Sequence, residues 1–347
     1  MEITSVASED IAMIARMVFG SHAAVDWITE IRPSSAHGIL KICGCNWNLS
    51  YIVSLKDDPQ AYVFRFNRRR YDRGDETLEI EQRNYALIAA HTDVPTPRIY
   101  HVDVSRRLAP TGYLVMDYMR GDSYEFLTHP QNPTTTQAEK DEIHRQAGHA
   151  TVQIHTISRR AASAAVGVQH VLSRLDALEH VVRNTRCRVT AQNIERCRQV
   201  VRSDPALLLD IEALSVGELY FARSNGGWAV AFTCDLEWVD YGDPYFDLVR
   251  MLYAHEPLWS LKAPLMMSHP ETMGAHPFLR GYEAGRPVDY QKLAAVATYA
   301  HLCCMCSIAR ELYQADEGEG IETREPPIYL ELLEAIEQKD RTKGIGT

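Results

Sequence analysis

The stretch CDLEWVDYGDPYFDL, residues 234–248, has the residue types and spacing best suited to chemistry. Its first carboxylate, Asp235, directly follows an apolar run with strand character, and Asp247 opens an apolar helical segment. A carboxylate at the end of a hairpin strand suits magnesium in phosphoryl transfer, because this hard cation prefers oxygen ligands beside phosphates. An aspartate can equally cap a turn or a helix, so this stretch alone leaves both interpretations open.

The elements that must position this stretch can be predicted from periodicity. Residues 8–20 have the spacing of an amphipathic helix. The stretch GILKICGCNWNLSYIVSLKDDPQAYVFRFN, residues 38–67, predicts three short strands, with alternation around SYIVSL, the polar turn KDDPQ and then AYVFRF. The segment RGDETLEIEQRNYALIAAHTD has helical spacing, and GYLVMDYM has the character of another strand. From about Thr135 the pattern is mostly helical, interrupted by a hairpin near 219–234 around SNGG.

The order of these elements predicts an α+β fold. Strands early in the chain and helices later, without a low-complexity linker, favour a small β-rich N-lobe and a larger helical C-lobe. We place the N-lobe at residues 1–118 and the C-lobe at 119–347.

Composition narrows the class of protein. Of the 347 residues, 46% are hydrophobic and 24% charged, which is ordinary for a soluble globular protein. The formal charge of −10 argues against a nucleic-acid partner, since non-specific binding of that kind needs a basic face. No apolar run is long enough to span a bilayer, and the N-terminus lacks the basic start of a signal peptide. We therefore expect a cytoplasmic protein without a membrane partner.

The eight cysteines include two groups, Cys43 with Cys45 and Cys303 with Cys304 and Cys306. Thiolates in such groups can bind a soft metal. The common zinc spacings are absent, however, and the second group lies in a segment typical of a buried helix. We expect reduced structural thiols.

Together, the motifs resemble the aminoglycoside phosphotransferase and choline kinase-like family, relatives of protein kinases. Asp235, Glu237, GDP at 242–244 and FDL at 246–248 follow the family's Asp-Trp-Glu, Gly-Asp-Pro and Asp-Leu pattern, with Leu236 in place of tryptophan. Other segments match the family in order across roughly residues 10–255. The resemblance implies a bilobal protein-kinase-like fold that uses ATP and Mg²⁺. It also implies nucleotide binding in the N-lobe, and the catalytic segment, the metal site and the substrate-selecting helices in the C-lobe.

The resemblance also assigns nucleotide-binding residues. GCNWNLSYIV looks like the family's nucleotide loop and keeps Gly44 and Asn48. Arg65, on the strand AYVFRF, would hold the α- and β-phosphates, oriented by an ion pair with Glu81.

The strand YLVMDYM resembles the family's hinge, which implies that the backbone of Met116, Asp117 and Met119 binds the adenine edge. The same resemblance implies that Asp235 binds Mg²⁺ and that Asp247 braces the catalytic segment.

The catalytic segment departs from the family's His-Gly-Asp-x-x-x-x-Asn. In one alignment, residues 216–218 replace His-Gly-Asp, and Arg223 falls at the metal-binding Asn, where it would repel Mg²⁺. We favour a second alignment, because it keeps LYFA as the strand that enters the SNGG turn.

In this second alignment Glu218 replaces the Asn and becomes a second metal ligand beside Asp235. Ala213 then falls at the position of the catalytic base, and Asp210 and Glu212 are the nearby carboxylates that could substitute for it. The predicted catalytic group is therefore Asp210, Glu212 and Glu218.

Two functions are compatible with this pattern. The first is an ATP-dependent phosphotransferase that acts on a hydroxyl of a small molecule or on Ser/Thr of a peptide, as in natural-product biosynthesis or antibiotic modification. The alternative is a pseudokinase, a nucleotide-binding scaffold or regulator for a protein partner.

Three consecutive arginines, at 68–70, follow the strand AYVFRF. Such a run of charge is typical of a solvated loop, although it could also bind an acidic peptide or partner protein.

Overall fold

The structure is a computed structural model that describes residues 5–31, 48–67, 76–130, 132–160, 172, 176, 179, 195, 198–199, 211–224, 226–237, 239–252, 274–293 and 296. Gly44, Asp210, the two cysteine groups and the arginines at 68–70 lie outside these residues. The chain forms two compact units, Met1–Ile157 with Leu214–Asp240 and Ser158–Ala213 with Tyr241–Thr347. The lobe boundary that we place after residue 118 stays a prediction.

A five-stranded antiparallel sheet organises the first unit, in the order β1-β2-β3-β5-β4. Its strands are β1 Val25–Ile31, β2 Asn48–Leu55, β3 Ala61–Asn67, β4 Ile99–Asp103 and β5 Tyr113–Asp117. Every second residue of β2 is buried, as the alternation in SYIVSL predicts. β1 was not predicted, because its adjacent apolar residues Trp27 and Ile28 break the alternation expected of a half-buried strand. Of the three strands predicted within residues 38–67, two are β2 and β3, and the rest of that stretch, residues 38–47, lies outside the described residues.

Two helices accompany this sheet. Helix α1, Ser8–Phe19, buries Ile11, Ile14 and Ala15 in the same core as β2 and β3, which confirms the predicted amphipathic helix. Helix α2, Glu76–His91, buries one face that includes Leu78, Tyr85 and Ile88, and Glu81 lies on that same face. A carboxylate within an apolar helix face needs a cationic or hydrogen-bonding partner.

The first unit also contains the predicted hairpin, β9 Glu218–Ser224 and β10 Gly227–Cys234, joined through the SNGG turn. A short third strand, β6 Asp122–Ser123, pairs with β9. Helix α3, Tyr124–Thr128, follows β6, and helix α4, Gln137–Ile154, begins with a capping box between Thr136 and Glu139.

In the second unit, β7 Ser158–Arg160 pairs with β8 Ile211–Leu214, whose last residue falls in the first unit. Residues 158–160 were predicted as helix, and this was wrong, because backbone pairing with β8 extends them. The other elements are β11 Tyr241–Gly242, α5 Pro244–Leu252 and α6 Pro277–Glu283. None of the helices within the described residues is long and apolar enough to cross a membrane.

Candidate functional site

Three side chains form a buried charge cluster in the first unit. Nη2 of Arg65, on β3, is ion-paired with Oε2 of Glu81, on α2, and with Oε2 of Glu237, in the turn after β10. Their residues are 6%, 0% and 4% exposed, so the cluster is shielded from water. The structure therefore brings together Arg65 and Glu81, the pair that the sequence predicts, and adds Glu237.

The position of Arg65 follows from its strand. β3 is an interior strand, and Arg65 lies between Ser50 on β2 and Leu114 on β5. Backbone pairing on both sides fixes where the guanidinium projects, and the buried face of α2 supplies Glu81 to it. Sequence reasoning placed Glu237 in the family pattern but did not foresee its contact with Arg65, since the two residues are far apart in the chain.

Asn48, the first residue of β2, links the predicted nucleotide loop to this cluster. Its Nδ2 donates to both carboxylate oxygens of Glu237, at 3.1 and 3.0 Å. Gly44, the other residue predicted for the loop, lies outside the described residues. The structure thus places the side chains of two predicted nucleotide-binding residues, Asn48 and Arg65, on one carboxylate. For Asn48 the sequence predicts a role of the backbone amides of residues 44–48, and this role stays a prediction.

The turn that carries Glu237 is fastened to α2. Nδ2 of Asn84, which is fully buried, donates to the carbonyl oxygens of Leu236 at 3.1 Å and Val239 at 2.7 Å. Asp235 begins this turn with a φ of +61°, a left-handed conformation that is uncommon outside glycine. Such a conformation persists only where surrounding contacts hold it, and it is found often at functional sites.

Burial dominates the electrostatics of the cluster. It raises the pKa of Glu81 to about 7; Arg65 acts in the opposite direction, and Glu237 and Asp235 raise the value further. Burial would lower the pKa of Arg65, but the surrounding carboxylates, Glu81 first, raise it overall. Nε of Arg65 and Oε1 of Glu81 are buried without a hydrogen-bond partner among the described residues. A ligand or a water molecule could therefore accept a hydrogen bond from Nε of Arg65 or donate one to Oε1 of Glu81.

Two exposed carboxylates, those of Glu218 and Asp235, lie at the open end of the β9–β10 hairpin. Glu218 pairs across the hairpin with Cys234, the residue directly before Asp235. The hydroxyl of Tyr220 donates to Oε2 of Glu218 at 3.1 Å. Burial raises the pKa of the Cys234 thiol, and the carboxylates of Glu218 and Asp235 raise it further, so this cysteine is a poor nucleophile.

Gly217 sets how closely the chain before β9 approaches the end of β10. A Cβ there would collide with the carbonyl oxygen of Cys234 and the side chain of Leu236. Only glycine leaves room for the backbone before β9 to pass so near the end of β10.

The carboxylates of Asp235 and Glu218 supply oxygen donors, which are the ligands that Mg²⁺ prefers. The described residues contain no group of three or more His, Cys, Asp or Glu side chains that could hold a metal by themselves. Magnesium usually keeps only one or two protein carboxylates and takes its remaining oxygens from phosphates and water. Asp235 and Glu218 therefore fit a metal that is held jointly with a phosphate ligand.

The predicted base region lies around β8. Ala213 is buried and pairs with Ser158 on β7, while Glu212 is ion-paired with Nε of Arg159. The guanidinium of Arg159 also lies over the ring of Tyr241, 4.7 Å from its centre. The role of Glu212 as a base stays a prediction, and its carboxylate already has a cationic partner. Asp210 lies outside the described residues.

The predicted hinge continues from β5. Backbone N–H groups of Asp117 and Tyr118 donate to the carbonyls of Arg98 and Ala61. The Asp117 carboxylate accepts hydrogen bonds from the backbone of Arg98 and the hydroxyl of Tyr100, so it is engaged within the protein. Base binding through the backbone of Met116, Asp117 and Met119 stays a prediction.

Comparison with known families confirms the resemblance inferred from the motifs. Residues 47–215 match the model of the phosphotransferase enzyme family, APH. This range includes Asn48, Arg65 and Glu81, and it extends to the segment before Gly217. No curated protein sequence matches the chain.

Solved structures confirm the protein-kinase-like α+β fold. One, from Ralstonia eutropha, is provisionally described as an aminoglycoside phosphotransferase; its TM-score is 0.59 at 12% identity, with 96% of this chain and 99% of that chain covered. The GDP complex of an aminoglycoside 2'-phosphotransferase has a TM-score of 0.60 at 12% identity, with coverages of 94% and 97%. An ethanolamine kinase from Plasmodium vivax has a TM-score of 0.50 at 11% identity, with coverages of 83% and 75%.

Proposed function

We propose that this chain is an ATP-dependent phosphotransferase that transfers the γ-phosphate to a hydroxyl of a small molecule or of Ser/Thr in a peptide. The observation that carries the proposal is the buried Arg65–Glu81 pair in the same unit as Asp235, at the end of the hairpin strand. We expect it to act in the cytoplasm.

Solved proteins of similar fold support the choice of a nucleotide as ligand. They include complexes with GDP, with ADP and hygromycin B, and with AMP-PNP and hygromycin B. In the present chain, Arg65 and Asn48 would contact phosphate oxygens, and the backbone of residues 116–119 would contact the base. Glu81 would keep the guanidinium oriented through its ion pair.

Asp235 and Glu218 would hold Mg²⁺, which, when bound, supplies positive charge beside the β- and γ-phosphates. The role of the protein in such a reaction is largely positioning, because phosphoryl transfer has a loose transition state with little covalent chemistry. The acceptor oxygen forms a bond to the γ-phosphorus, the bond to the β,γ-bridging oxygen breaks, and ADP leaves.

The hydroxyl proton needs an acceptor, and Ala213 cannot supply one. Asp210 and Glu212 remain the proposed bases. A general base contributes about 10²–10⁴-fold to rate, so an enzyme with a poorly placed base would be slow but active.

The test is Asp235→Asn, with Asp141→Asn on the exposed face of α4 as a matched control. We would measure ADP formation with ATP, Mg²⁺ and a panel of acceptors: kanamycin, hygromycin B, spectinomycin, ethanolamine and Ser/Thr peptides. We expect Asp235→Asn to lower transfer by at least about 10²-fold, by analogy with removing a charge-stabilising group, while the control keeps its activity. Unchanged transfer by Asp235→Asn would refute the metal assignment.

A second candidate is the nucleotide-binding scaffold or pseudokinase. It is favoured by Ala213 at the position of the base and by the engagement of Glu212 with Arg159. Thermal stabilisation by ATP and Mg²⁺, without phosphate transfer to any acceptor and with a stable protein partner, would support this function. No thermal shift with ATP and Mg²⁺ would exclude the phosphotransferase and leave a scaffold or regulator that does not bind nucleotide.

A further inference from the structure

Arg65 has two buried carboxylate partners, where the motif predicts one. Its Nη2 is ion-paired with Glu81 and also with Glu237. One guanidinium cannot neutralise two carboxylates, and Asp235 adds further negative potential at both Arg65 and Glu81. The second carboxylate is therefore an additional anionic ligand of a cation with which Glu81 is already paired.

The carboxylate of Glu237 accepts hydrogen bonds from Asn48 and is ion-paired with Arg65, the side chains that would contact the phosphates of the proposed nucleotide. Both of its oxygens accept from Nδ2 of Asn48, at 3.1 and 3.0 Å, and one is ion-paired with Arg65. A carboxylate and a phosphate present similar anionic oxygens to arginine and amide groups. Glu237 thus occupies, on these two side chains, the place of a phosphate oxygen.

The turn can keep its position while the side chain of Glu237 leaves. Asn84 binds the backbone of residues 236 and 239 on either side of it, so the main chain is fixed to α2. Glu81 would still pair with Arg65 after Glu237 moved away. The buried Nε of Arg65 also has no hydrogen-bond partner among the described residues, so the guanidinium has unused donor capacity.

We propose that Glu237 is an internal competitor for nucleotide phosphate, which binds Arg65 and Asn48 and must be displaced from them for a nucleotide to bind. The inference rests on the proposed nucleotide-dependent function. Glu237 is a residue that sets nucleotide affinity through Arg65, and no catalytic step is assigned to it.

The test compares ADP binding by the full chain and by Glu237→Gln, using isothermal titration calorimetry in EDTA so that no metal contributes. Glutamine keeps the shape of the side chain but removes the charge that competes with phosphate. We expect Glu237→Gln to bind ADP about tenfold more tightly, since contacts with charged groups are worth enough for one decade of affinity. Adenosine, which has no phosphate, should bind both proteins with equal affinity within about twofold.

Glu79→Gln is the matched control, because it removes the same charge from an exposed position on α2, two residues from Glu81. We expect it to change ADP affinity by less than about twofold. Circular dichroism would establish that each variant is folded. Glu237→Asp, which keeps the charge on a shorter side chain, should give an intermediate ADP affinity and tests the idea if the glutamine variant does not fold.

The outcomes separate this inference from the proposed function. Tighter ADP binding by Glu237→Gln, with adenosine and the control unchanged, supports the competitor role, even if only the variant binds measurably. Equal or weaker binding by folded Glu237→Gln, when the unchanged protein binds ADP, overturns the inference alone. An equal gain in the Glu79→Gln control also overturns it, as a general charge effect. If neither protein binds ADP in EDTA, the titration is repeated with Mg²⁺. Equal affinity of the two proteins under those conditions overturns the inference alone, and absence of binding by both overturns the proposed function and the inference.

Discussion

Two arginine–glutamate pairs in this protein have the same chemistry and opposite surroundings. The side chains of Arg65 and Glu81 are 7% and 0% exposed, whereas those of Arg159 and Glu212 are 56% and 25% exposed. The first joins an interior strand to a helix, and the second joins two short paired strands. Burial, rather than the identity of the two residues, decides what each pair does for the protein.

The physical reason is the cost of removing charge from water. An exposed pair gains little, because water and salt screen it and two long side chains must be ordered. A buried pair has already lost its hydration, so removing one partner leaves a charge that nothing else compensates. The buried cluster should therefore respond strongly to substitution, and the exposed pair weakly.

The largest expected effect is on stability in Arg65→Met. This change leaves Glu81 and Glu237 buried without their cation, and we expect the free energy of unfolding to fall by about 3–5 kcal/mol. Chemical denaturation followed by circular dichroism measures it.

Arg159→Met is the matched control for that experiment. We expect a loss below about 1 kcal/mol, since its ion pair is exposed. Equal losses in the two variants would contradict the importance of burial.

The next largest effect is expected for Asn84→Ala, which tests how far neutral contacts support the buried cluster. The change leaves the carbonyls of Leu236 and Val239 without the amide that binds them, and should lower the free energy of unfolding by about 1–3 kcal/mol. Gln137→Ala, which removes an exposed amide that donates to Asp141, should change it by less than about 0.5 kcal/mol. A small effect in both would show that the turn is held by other contacts.

A pH effect is expected from Glu81, whose pKa burial raises to about 7 from an ordinary value of 4.5. A raised pKa means that the folded state holds the proton more tightly. The corresponding contribution to stability is complete below about pH 4.5 and is lost as the pH rises through about 7.

Glu81→Gln should remove this component of the pH dependence between about pH 4.5 and 7, measured by denaturation at each pH. Glu79→Gln, on the same helix but exposed, should keep the slope of the unchanged protein. The same slope in Glu81→Gln and the unchanged protein would mean that Glu81 does not titrate in this range.

The smallest expected effect is that of Glu212→Gln on stability, below about 1 kcal/mol and smaller still at high salt. Denaturation at low and high salt measures it. The same variant also tests the predicted base, because loss of a general base would reduce transfer by about 10²–10⁴-fold without a matching loss of stability. A loss of stability as large as that of Arg65→Met would contradict the weak-pair assignment.

Local patterns made much of the fold predictable. Alternation identified β2 and β3, helical spacing identified α1 and α2, and the SNGG turn identified the β9–β10 hairpin. These features depend on neighbours within a few residues. The strand at residues 158–160 was missed because only pairing with β8, about fifty residues away, extends it.

The sequence by itself determined the family resemblance, the order of the elements and the pairing partners Arg65 and Glu81, because motifs and periodicity are written in short stretches of chain. Only the tertiary structure decided that Glu237 joins them, that Asn48 binds the same carboxylate, and that Glu212 is held by Arg159. Contacts between residues distant in the chain depend on where the backbone brings each side chain and how much water it excludes. Those quantities exist only once the chain has folded.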